Sequence, residues 1–259
     1  MMNTLITGHK GFVGKNLSTR FDKFIGIDEE YTQIDLYNIL DELELDVIFH
    51  IGACSDTLNT DIQFMMRRNY LSTKWIMDWC KDNNVKMIYS SSASIYGSNG
   101  IEPTNVYGWS KLIGEDYVLS NGGVALRYFN VYGPGEEHKG YMSSIIYQNY
   151  NKELVKLFPG NPSRDFVYID DVVNANLHCL NNFDSLKGRW FEVGTGQSIT
   201  FETIFGNLGI KVEYKDISEI PNGYQFYTKS NQKNWMPNWK PTIFIEEGVK
   251  RYLDYLVTD

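Results

Sequence analysis

Hydrophobic residues along the chain recur in two rhythms. Short, near-continuous apolar runs alternate with longer stretches in which apolar positions recur every three or four residues. The first kind reads as strands buried on both faces, the second as helices packed against them. Residues 4–7, 24–28, 46–53, 85–89 and 123–129 are runs of the first kind, and 189–193 is predicted to return to the same sheet. Residues 33–36 read as one further short strand. Residues 61–83 carry Phe64, Met65, Tyr70, Leu71, Trp75, Ile76 and Trp79 on one wide face, which predicts a core-facing helix. Helical patterns follow at about 141–151 and at 170–179, 201–207 and 243–256. Strand and helix alternate up to residue 129. That rhythm predicts the α/β class: a doubly wound parallel sheet with right-handed crossovers. After residue 133 the chain turns rich in Gly, Tyr and Asn, as a smaller lobe would be.

The first strand runs into Gly8-His9-Lys10-Gly11-Phe12-Val13-Gly14 and then into a helix pattern. Glycines there allow a tight turn and let backbone N–H groups approach a pyrophosphate at the helix start. Gly8, Gly11, Phe12, Val13 and Gly14 are therefore candidate cofactor contacts. Asp28 ends the second strand twenty residues after Gly8, where a carboxylate accepts hydrogen bonds from an adenosine ribose. Glu29 and Glu30 follow, so a 2′-phosphate would meet like charges, which favours NAD. Asp35, on the expected strand, is a candidate for the adenine amine. The run at 46–53 ends in Ile51, Gly52 and Ala53, small enough for a cofactor to pass close by, and Asn69 completes the candidate set. His50 inside that run reads as a satisfied strand-end histidine, not a catalyst. The expected division is a Rossmann domain of residues 1–133 plus about 165–195. A substrate lobe of about 134–164 and 196–259 completes the chain.

The strand at 85–89 runs into Ser90-Ser91-Ser92, hydroxyls at the end of the sheet where such folds bind ligands. Fifteen residues after Ser92 comes Tyr107, and Lys111 is four further on. On a helix the two share a face. An ammonium near a phenol favours the phenolate and is expected to lower the Tyr107 pKa from about 10. Ser92 would orient a substrate hydroxyl, Tyr107 move its proton, and Lys111 tune Tyr107 and hold the nicotinamide ribose. An ordinary amphipathic helix carrying Tyr and Lys fits this hexapeptide alone equally well. Lys139 and Arg164 read by themselves as solvated charges, although Arg suits bidentate capture of phosphate.

Composition narrows the partners. The 259 residues carry a formal charge of -8, which argues against nucleic acid or an anionic membrane. An anionic ligand must be held by a local basic site. Three widely spaced cysteines, Cys54, Cys80 and Cys179, give neither a disulfide framework nor a zinc site, and no metal-ligand spacing is present. No apolar run approaches the ~20 residues of a membrane span. The N-terminus begins with a strand pattern instead of a secretion signal. The expectation is a soluble, cytoplasmic protein.

The glycine turn, the serine-rich strand end and the Tyr107–Lys111 helix together resemble the extended short-chain dehydrogenase/reductases. Within that superfamily the chain is similar to the ADP-L-glycero-D-manno-heptose 6-epimerases. The resemblance rests on Phe49-His50-Ile51-Gly52-Ala53-Cys54-Ser55, Asn105-Val106-Tyr107-Gly108-Trp109-Ser110-Lys111 and Arg127-Tyr128-Phe129-Asn130-Val131-Tyr132-Gly133-Pro134. It extends through His138-Lys139-Gly140-Tyr141-Met142 and Arg164-Asp165-Phe166-Val167-Tyr168. It implies an enzyme of lipopolysaccharide-core synthesis that holds NADP or NAD tightly and inverts C6 of an ADP-heptose through a transient ketone. It assigns Tyr107 and Lys139 as the two proton-handling groups and Ser92 as the hydroxyl partner. Asn130, His138 and Arg164 become substrate contacts, with Arg164 clamping the diphosphate. It also implies a homo-oligomer, with a four-helix seam built on the 61–83 helix and its neighbour. The chain departs from that family by being short, after Asp28 and again between Ser92 and Tyr107. Another nucleotide-sugar epimerase or reductase is the alternative, and a cofactor-binding sensor without turnover a more distant one. A 4,6-dehydratase fits less well, because Ala93-Ser94 stands where the acidic pair belongs.

Overall fold

A computed structural model of the chain describes residues 2–28, 30–138 and 144–258, with the side chain of His138 also outside the description. The elements of the first half are β1 (Thr4–Thr7), α1 (Phe12–Ser18), β2 (Ile25–Ile27), α2 (Gln33–Asp41) and β3 (Val47–His50). Then come α3 (Ile62–Met65), α4 (Ser72–Asp82), β4 (Lys86–Ser92), α5 (Val106–Ser120) and β5 (Val124–Tyr128). The second half holds β6 (Asn130–Tyr132), β7 (Leu154–Leu157), β8 (Ser163–Arg164), β9 (Phe166–Tyr168), α6 (Ile169–Asn181), α7 (Phe183–Leu186) and β10 (Trp190–Val193). It ends with β11 (Ile199–Thr200), α8 (Phe201–Asn207), β12 (Lys211–Tyr214) and α9 (Ile245–Thr258).

Six strands form one parallel sheet in the order β10-β5-β4-β3-β1-β2. The apolar runs of the sequence are explained by its two covered faces. Leu5, Ile48, Met87, Tyr89 and Ala125 point into one layer with Leu36, Leu40, Ile76, Trp79 and Val118 of α2, α4 and α5. Their neighbours Ile6, Phe49, Ile88 and Leu126 point the other way, against Phe12, Leu17, Val172 and Cys179 of α1 and α6. The direction of winding reverses between β1 and β3. Such a reversal opens a crevice beyond the carboxyl ends of the strands.

Three expected elements differ. Residues 33–36 begin helix α2 instead of forming a strand. Thr32 caps the helix: its Oγ1 accepts the Asp35 N–H (3.2 Å) and donates to Asp35 Oδ2 (2.7 Å). With that cap in place Leu36 and Leu40 are buried at helical spacing and Ile34 is left exposed. The helix at 61–83 is not uniform. A π-helical turn, Met66–Leu71, joins α3 to α4 and carries Asn69 into the interior. Residues 145–151 form turns, with Gln148 N–H bonding Ser144 O and Asn149 N–H bonding Ile146 O. The start of the helix expected at about 141–151 lies outside the described residues.

Three two-stranded pairs, β6 with β9, β7 with β12 and β8 with β11, lie outside the main sheet. Two buried carboxylates tie distant chain segments together. Asp165 accepts hydrogen bonds from the N–H groups of Thr195, Gly196 and Ser230 and from the hydroxyls of Thr195 and Ser230, all at 2.6–2.9 Å. Asp171 accepts from the N–H groups of Thr242 and Ile243 at 2.8–3.0 Å. A carboxylate saturated in this way is costly to remove, because its donors are left facing apolar space. Asp165→Ala is expected to lower stability by about 3 kcal/mol in urea unfolding, whereas Asp254→Ala on the last helix should change it by less than about 0.5 kcal/mol.

Candidate active site

The site begins at the glycine turn. Gly8 adopts φ +69°, and a Cβ there would stand 2.6 Å from the Gly52 Cα. A Cβ on Gly14 would stand 2.1 Å from the Gly8 carbonyl oxygen. The turn is thus pressed between α1 and the end of β3, closer than any side chain permits. Its position is fixed from below. Thr7 Oγ1 accepts the Gly52 N–H (3.0 Å) and hydrogen-bonds His50 Nδ1 (2.7 Å), and His50 Nε2 hydrogen-bonds Thr73 Oγ1 (2.9 Å). His50 is the satisfied strand-end histidine that the sequence leads one to expect. Burial pushes its pKa down to about 3, with Lys111 acting in the same direction.

Gly8, Gly11, Phe12, Val13, Gly14, Asp28, Ile51, Gly52 and Ala53 all line one cleft of about 1270 Å³. The N-cap of α1, Gly11, offers no side-chain cap, and the start of the helix lines the cleft. Asp28 lies 2.6 Å from His9 Nδ1 and accepts the Lys10 N–H (3.1 Å). Two expected cofactor contacts do not reach the cleft. Asp35 is spent on the Thr32 cap. Asn69 uses its whole amide inside the protein: Oδ1 accepts the Cys54 N–H (2.8 Å), and Nδ2 donates to Cys54 O and Ser110 Oγ (both 2.9 Å). It sets the loop after β3 without lining the cleft. Glu30 is not a bare acid either, since Arg67 and Arg68 both reach it. Glu29 lies outside the described residues.

Ser92, Tyr107 and Lys111 converge on the same cleft. Ser92 ends β4 and caps a short 3-10 turn, its Oγ accepting the Ser94 N–H (3.1 Å). Asn105 caps α5 by accepting the Gly108 N–H (2.7 Å), which puts Tyr107 in the first turn. A Cβ on Gly108 would stand 2.7 Å from the Ser94 carbonyl oxygen, so glycine is what lets α5 approach the end of β4. Tyr107 hydrogen-bonds Ser92. Lys111 is buried one turn on, its Nζ 4.3 Å from the centroid of the Tyr89 ring.

The electrostatics reverse one expectation. The Tyr107 phenol is pushed up, not down: burial raises it, its bond to Ser92 lowers it in part, and Cys54 raises it further. Lys111 falls to about 7, because burial outweighs the carboxylate of Glu115 one turn below. In the protein alone the ammonium is only partly charged at neutral pH and cannot hold Tyr107 as a phenolate. Glu115 is itself fully buried, accepting from Ser91 Oγ (2.6 Å) and from Arg127 Nε (3.0 Å).

Asn130 and Arg164 line the same cleft. Arg164 is 7% exposed and lies over the rings of Tyr224 (5.2 Å) and Phe201 (5.6 Å). It donates to the Ser163 carbonyl (3.0 Å) and hydrogen-bonds Tyr224, and among the described residues it pairs with no carboxylate. Burial holds its pKa below the usual arginine range, with Tyr224 opposing. A buried guanidinium without a counter-ion is suited to an anion. It also borders a smaller cavity of about 70 Å³, together with Phe158, Lys215 and Tyr224. Lys215 Nζ lies 4.9 Å from the Phe158 ring, and the Phe158 and Tyr224 rings meet edge-on at 5.1 Å. Sequence reasoning missed Phe158, Lys215, Tyr224, Arg67 and Arg68. Their contacts span distant parts of the chain, and only the turn residues of Pro221-Asn222-Gly223 flag Tyr224 locally. His138 closes a 3-10 turn, Glu136–His138. Its side chain and Lys139 lie outside the described residues, so neither expected role gains a position. Among the described residues no cluster of metal ligands occurs and no helix is long and apolar enough to cross a membrane.

Comparison with known proteins places the chain in a family. Residues 4–194 match the model of the NAD dependent epimerase/dehydratase family. The chain belongs to that family. A family member named ADP-L-glycero-D-manno-heptose-6-epimerase, from Brachyspira hyodysenteriae, is 33% identical over 311 aligned residues, covering 97% of each chain. Since this chain has 259 residues, that alignment includes stretches of the relative with no counterpart here. The crystal structure of the Helicobacter pylori enzyme of the same name superposes with a TM-score of 0.85 at 29% identity, covering 100% of this chain and 97% of that one. A UDP-glucuronic acid 4-epimerase from Bacillus cereus, solved with UDP-glucuronic acid and NAD, gives 0.83 at 22% identity and 99% coverage of each, a likeness of fold alone.

The pKa of His50 makes a stability prediction. It lies below the ordinary 6.5, so between pH 6.5 and about 3 the unfolded chain binds a proton that the folded protein does not. That part of the stability is present above pH 6.5 and is lost as the pH falls. From pH 7 to 4.5 the loss due to this residue should be about 2–3 kcal/mol in urea unfolding. His50→Gln should be less stable at pH 7 but lose correspondingly less over the same interval.

Proposed function

We propose that this protein is a nucleotide-sugar epimerase that inverts C6 of an ADP-heptose, with NAD or NADP resident in the cleft. One observation carries the reading. Ser92, Tyr107 and Lys111 line one cleft together with the glycine turn and the buried Arg164, which among the described residues has no carboxylate partner. A dinucleotide phosphate fits one end and a sugar-nucleotide diphosphate the other, with the reacting carbon between them. On this reading residues 1–133 and 165–195 hold the dinucleotide, and 134–164 and 196–259 the sugar nucleotide. A homo-oligomer belongs to the same reading, since Ile62 of α3 and Trp109 and Ile113 of α5 leave apolar surface exposed.

The chemistry follows from what a carbinol C–H cannot do. It is too weak an acid for direct deprotonation, so its configuration changes by way of a ketone. The dinucleotide's contribution, when bound, is reversible hydride exchange at that carbon. The glycine turn and the start of α1 would hold its pyrophosphate, and Asp28 its adenosine ribose. Ser92 accepts or donates at the substrate hydroxyl and keeps it facing Tyr107. As the phenolate, which a fully charged Lys111 would favour, Tyr107 takes the hydroxyl proton as the ketone forms. Lys111 favours that transfer in its charged form. Its present value of about 7 means that a neighbouring anion would charge it fully. Arg164 fixes the nucleotide end, so the sugar can pivot and offer the ketone's other face. Lys139 is the proposed proton donor on that face.

Incubating the purified protein with ADP-D-glycero-D-manno-heptose and no added reductant tests the reading by proton NMR. The L-glycero epimer should grow to an equilibrium mixture. No change, with NAD and NADP also supplied, would move the substrate to another nucleotide sugar. Tyr107→Phe should lower turnover by about 10²–10⁴-fold and leave dinucleotide affinity within about threefold of the parent. Full activity in that variant would remove Tyr107 from the proton path.

A further inference from the structure

The adenosine end of the cleft contains a feature that neither the fold nor the reaction requires. Glu30, two residues beyond Asp28, is gripped by two arginines from the π-helical turn. Arg67 Nη2 lies 3.0 Å from Glu30 Oε2, and Arg68 Nη1 lies 2.8 Å from Glu30 Oε1. One guanidinium thus sits on each carboxylate oxygen. All three residues line the cleft, beside Asp28, Tyr31 and Thr32. Their side chains keep 31–59% of their surface in water. Ion pairs so exposed add little to stability and break readily.

The charge count is unbalanced. Among the described residues two cations face one anion, and Asp28 has its own partner in His9 at 2.6 Å. A carboxylate bridging two guanidiniums presents two oxygens and a single charge. A phosphate monoester presents three oxygens and a charge of about −1.5 to −2 at neutral pH, and it suits the same pair better. The cleft wall beyond the end of β2 is where a Rossmann fold meets the 2′ position of the adenosine ribose. The acidic run after Asp28 is therefore not a simple barrier to a 2′-phosphate.

We propose that Arg67 and Arg68 form a 2′-phosphate site whose resident anion in the free protein is Glu30, so that these three residues set the preference between NAD and NADP. The inference rests on the dinucleotide reading of the cleft. With NAD, Glu30 stays on the arginines and Asp28 takes the ribose hydroxyls. With NADP, the phosphate displaces Glu30, which swings into solvent. Glu30 is then the specificity-determining residue, and its effect falls on the 2′-phosphate alone.

Dissociation constants measured by calorimetry test this, with resident cofactor first stripped on charcoal. The probes are NAD, NADP, and the fragments AMP and adenosine 2′,5′-bisphosphate. Glu30→Gln should bind NADP and the bisphosphate about tenfold more tightly, with NAD and AMP changed by less than about twofold. Arg67→Ala with Arg68→Ala should weaken NADP and the bisphosphate by about tenfold or more, again with little change in NAD. Retained AMP binding shows that the double variant is folded. Equal shifts for NAD and NADP in Glu30→Gln, or unaltered NADP affinity in the double variant, overturn the proposal. If the parent binds neither dinucleotide, the reading of the cleft fails and takes this inference with it. If it binds both and the variants change nothing, the 2′-phosphate site of Arg67, Arg68 and Glu30 is lost while the dinucleotide reading of the cleft stands.

Discussion

The buried pair between Glu115 and Arg127 holds the active site in place. Glu115 is on α5, Arg127 on β5, and Ser91 of β4 donates to the same carboxylate. Arg127 also donates to Tyr96 in the 3-10 turn after Ser92 and lies 3.6 Å above the Trp190 ring of β10. Tyr96 in turn donates to Glu192 of β10, which accepts from the Asn231 N–H and from Asn234. Five elements that carry or frame Ser92, Tyr107 and Lys111 are joined through this pair. Taking out one partner would strand the other's charge where water does not reach, so the arrangement persists only complete. Glu115 also supplies a favourable charge to Lys111.

The low value at Lys111 and the raised Tyr107 have one meaning. Both groups are buried, and burial opposes charge on each. On the proposed reading an anionic ligand beside Lys111 would restore its charge. The polypeptide would then prepare the site sterically and its ligands would complete it electrically. His50 serves the same end differently, as a neutral spacer between Thr7 and Thr73 that resists protonation down to about pH 3.

What could be read from the sequence followed from how local each signal is. The glycine turn, the end of β4 and the Tyr107–Lys111 spacing each lie within a few residues, and backbone geometry alone turns them into a site. Asp28 was legible because the length of one βαβ unit fixes its place. Asp35 was misplaced because a β-branched residue beside it suggested a strand, whereas the Thr32 cap and the Leu36–Leu40 spacing prevail. Asn69 was taken as a ligand contact because a π-helical turn, which carries no sequence signature, directs it inward. Arg67, Arg68, Phe158, Lys215 and Tyr224 acquire meaning only from partners far along the chain. The lowering expected for Tyr107 assumed a charged lysine, and the depth of burial that removes that charge belongs to the whole fold.

The π-helical turn has a further consequence. A helix advances about 100° per residue, so the extra residue in that turn shifts the phase of everything after it. Before the shift, α3 leaves Ile62 to solvent; within it, Arg67 and Arg68 reach the cleft; after it, Ile76 and Trp79 meet the sheet. A single unbroken helix would have to choose which of these surfaces to serve. Deleting one residue there would preserve composition, length class and hydrophobicity almost unchanged, yet would rotate one half of the molecule's chemistry out of register with the other.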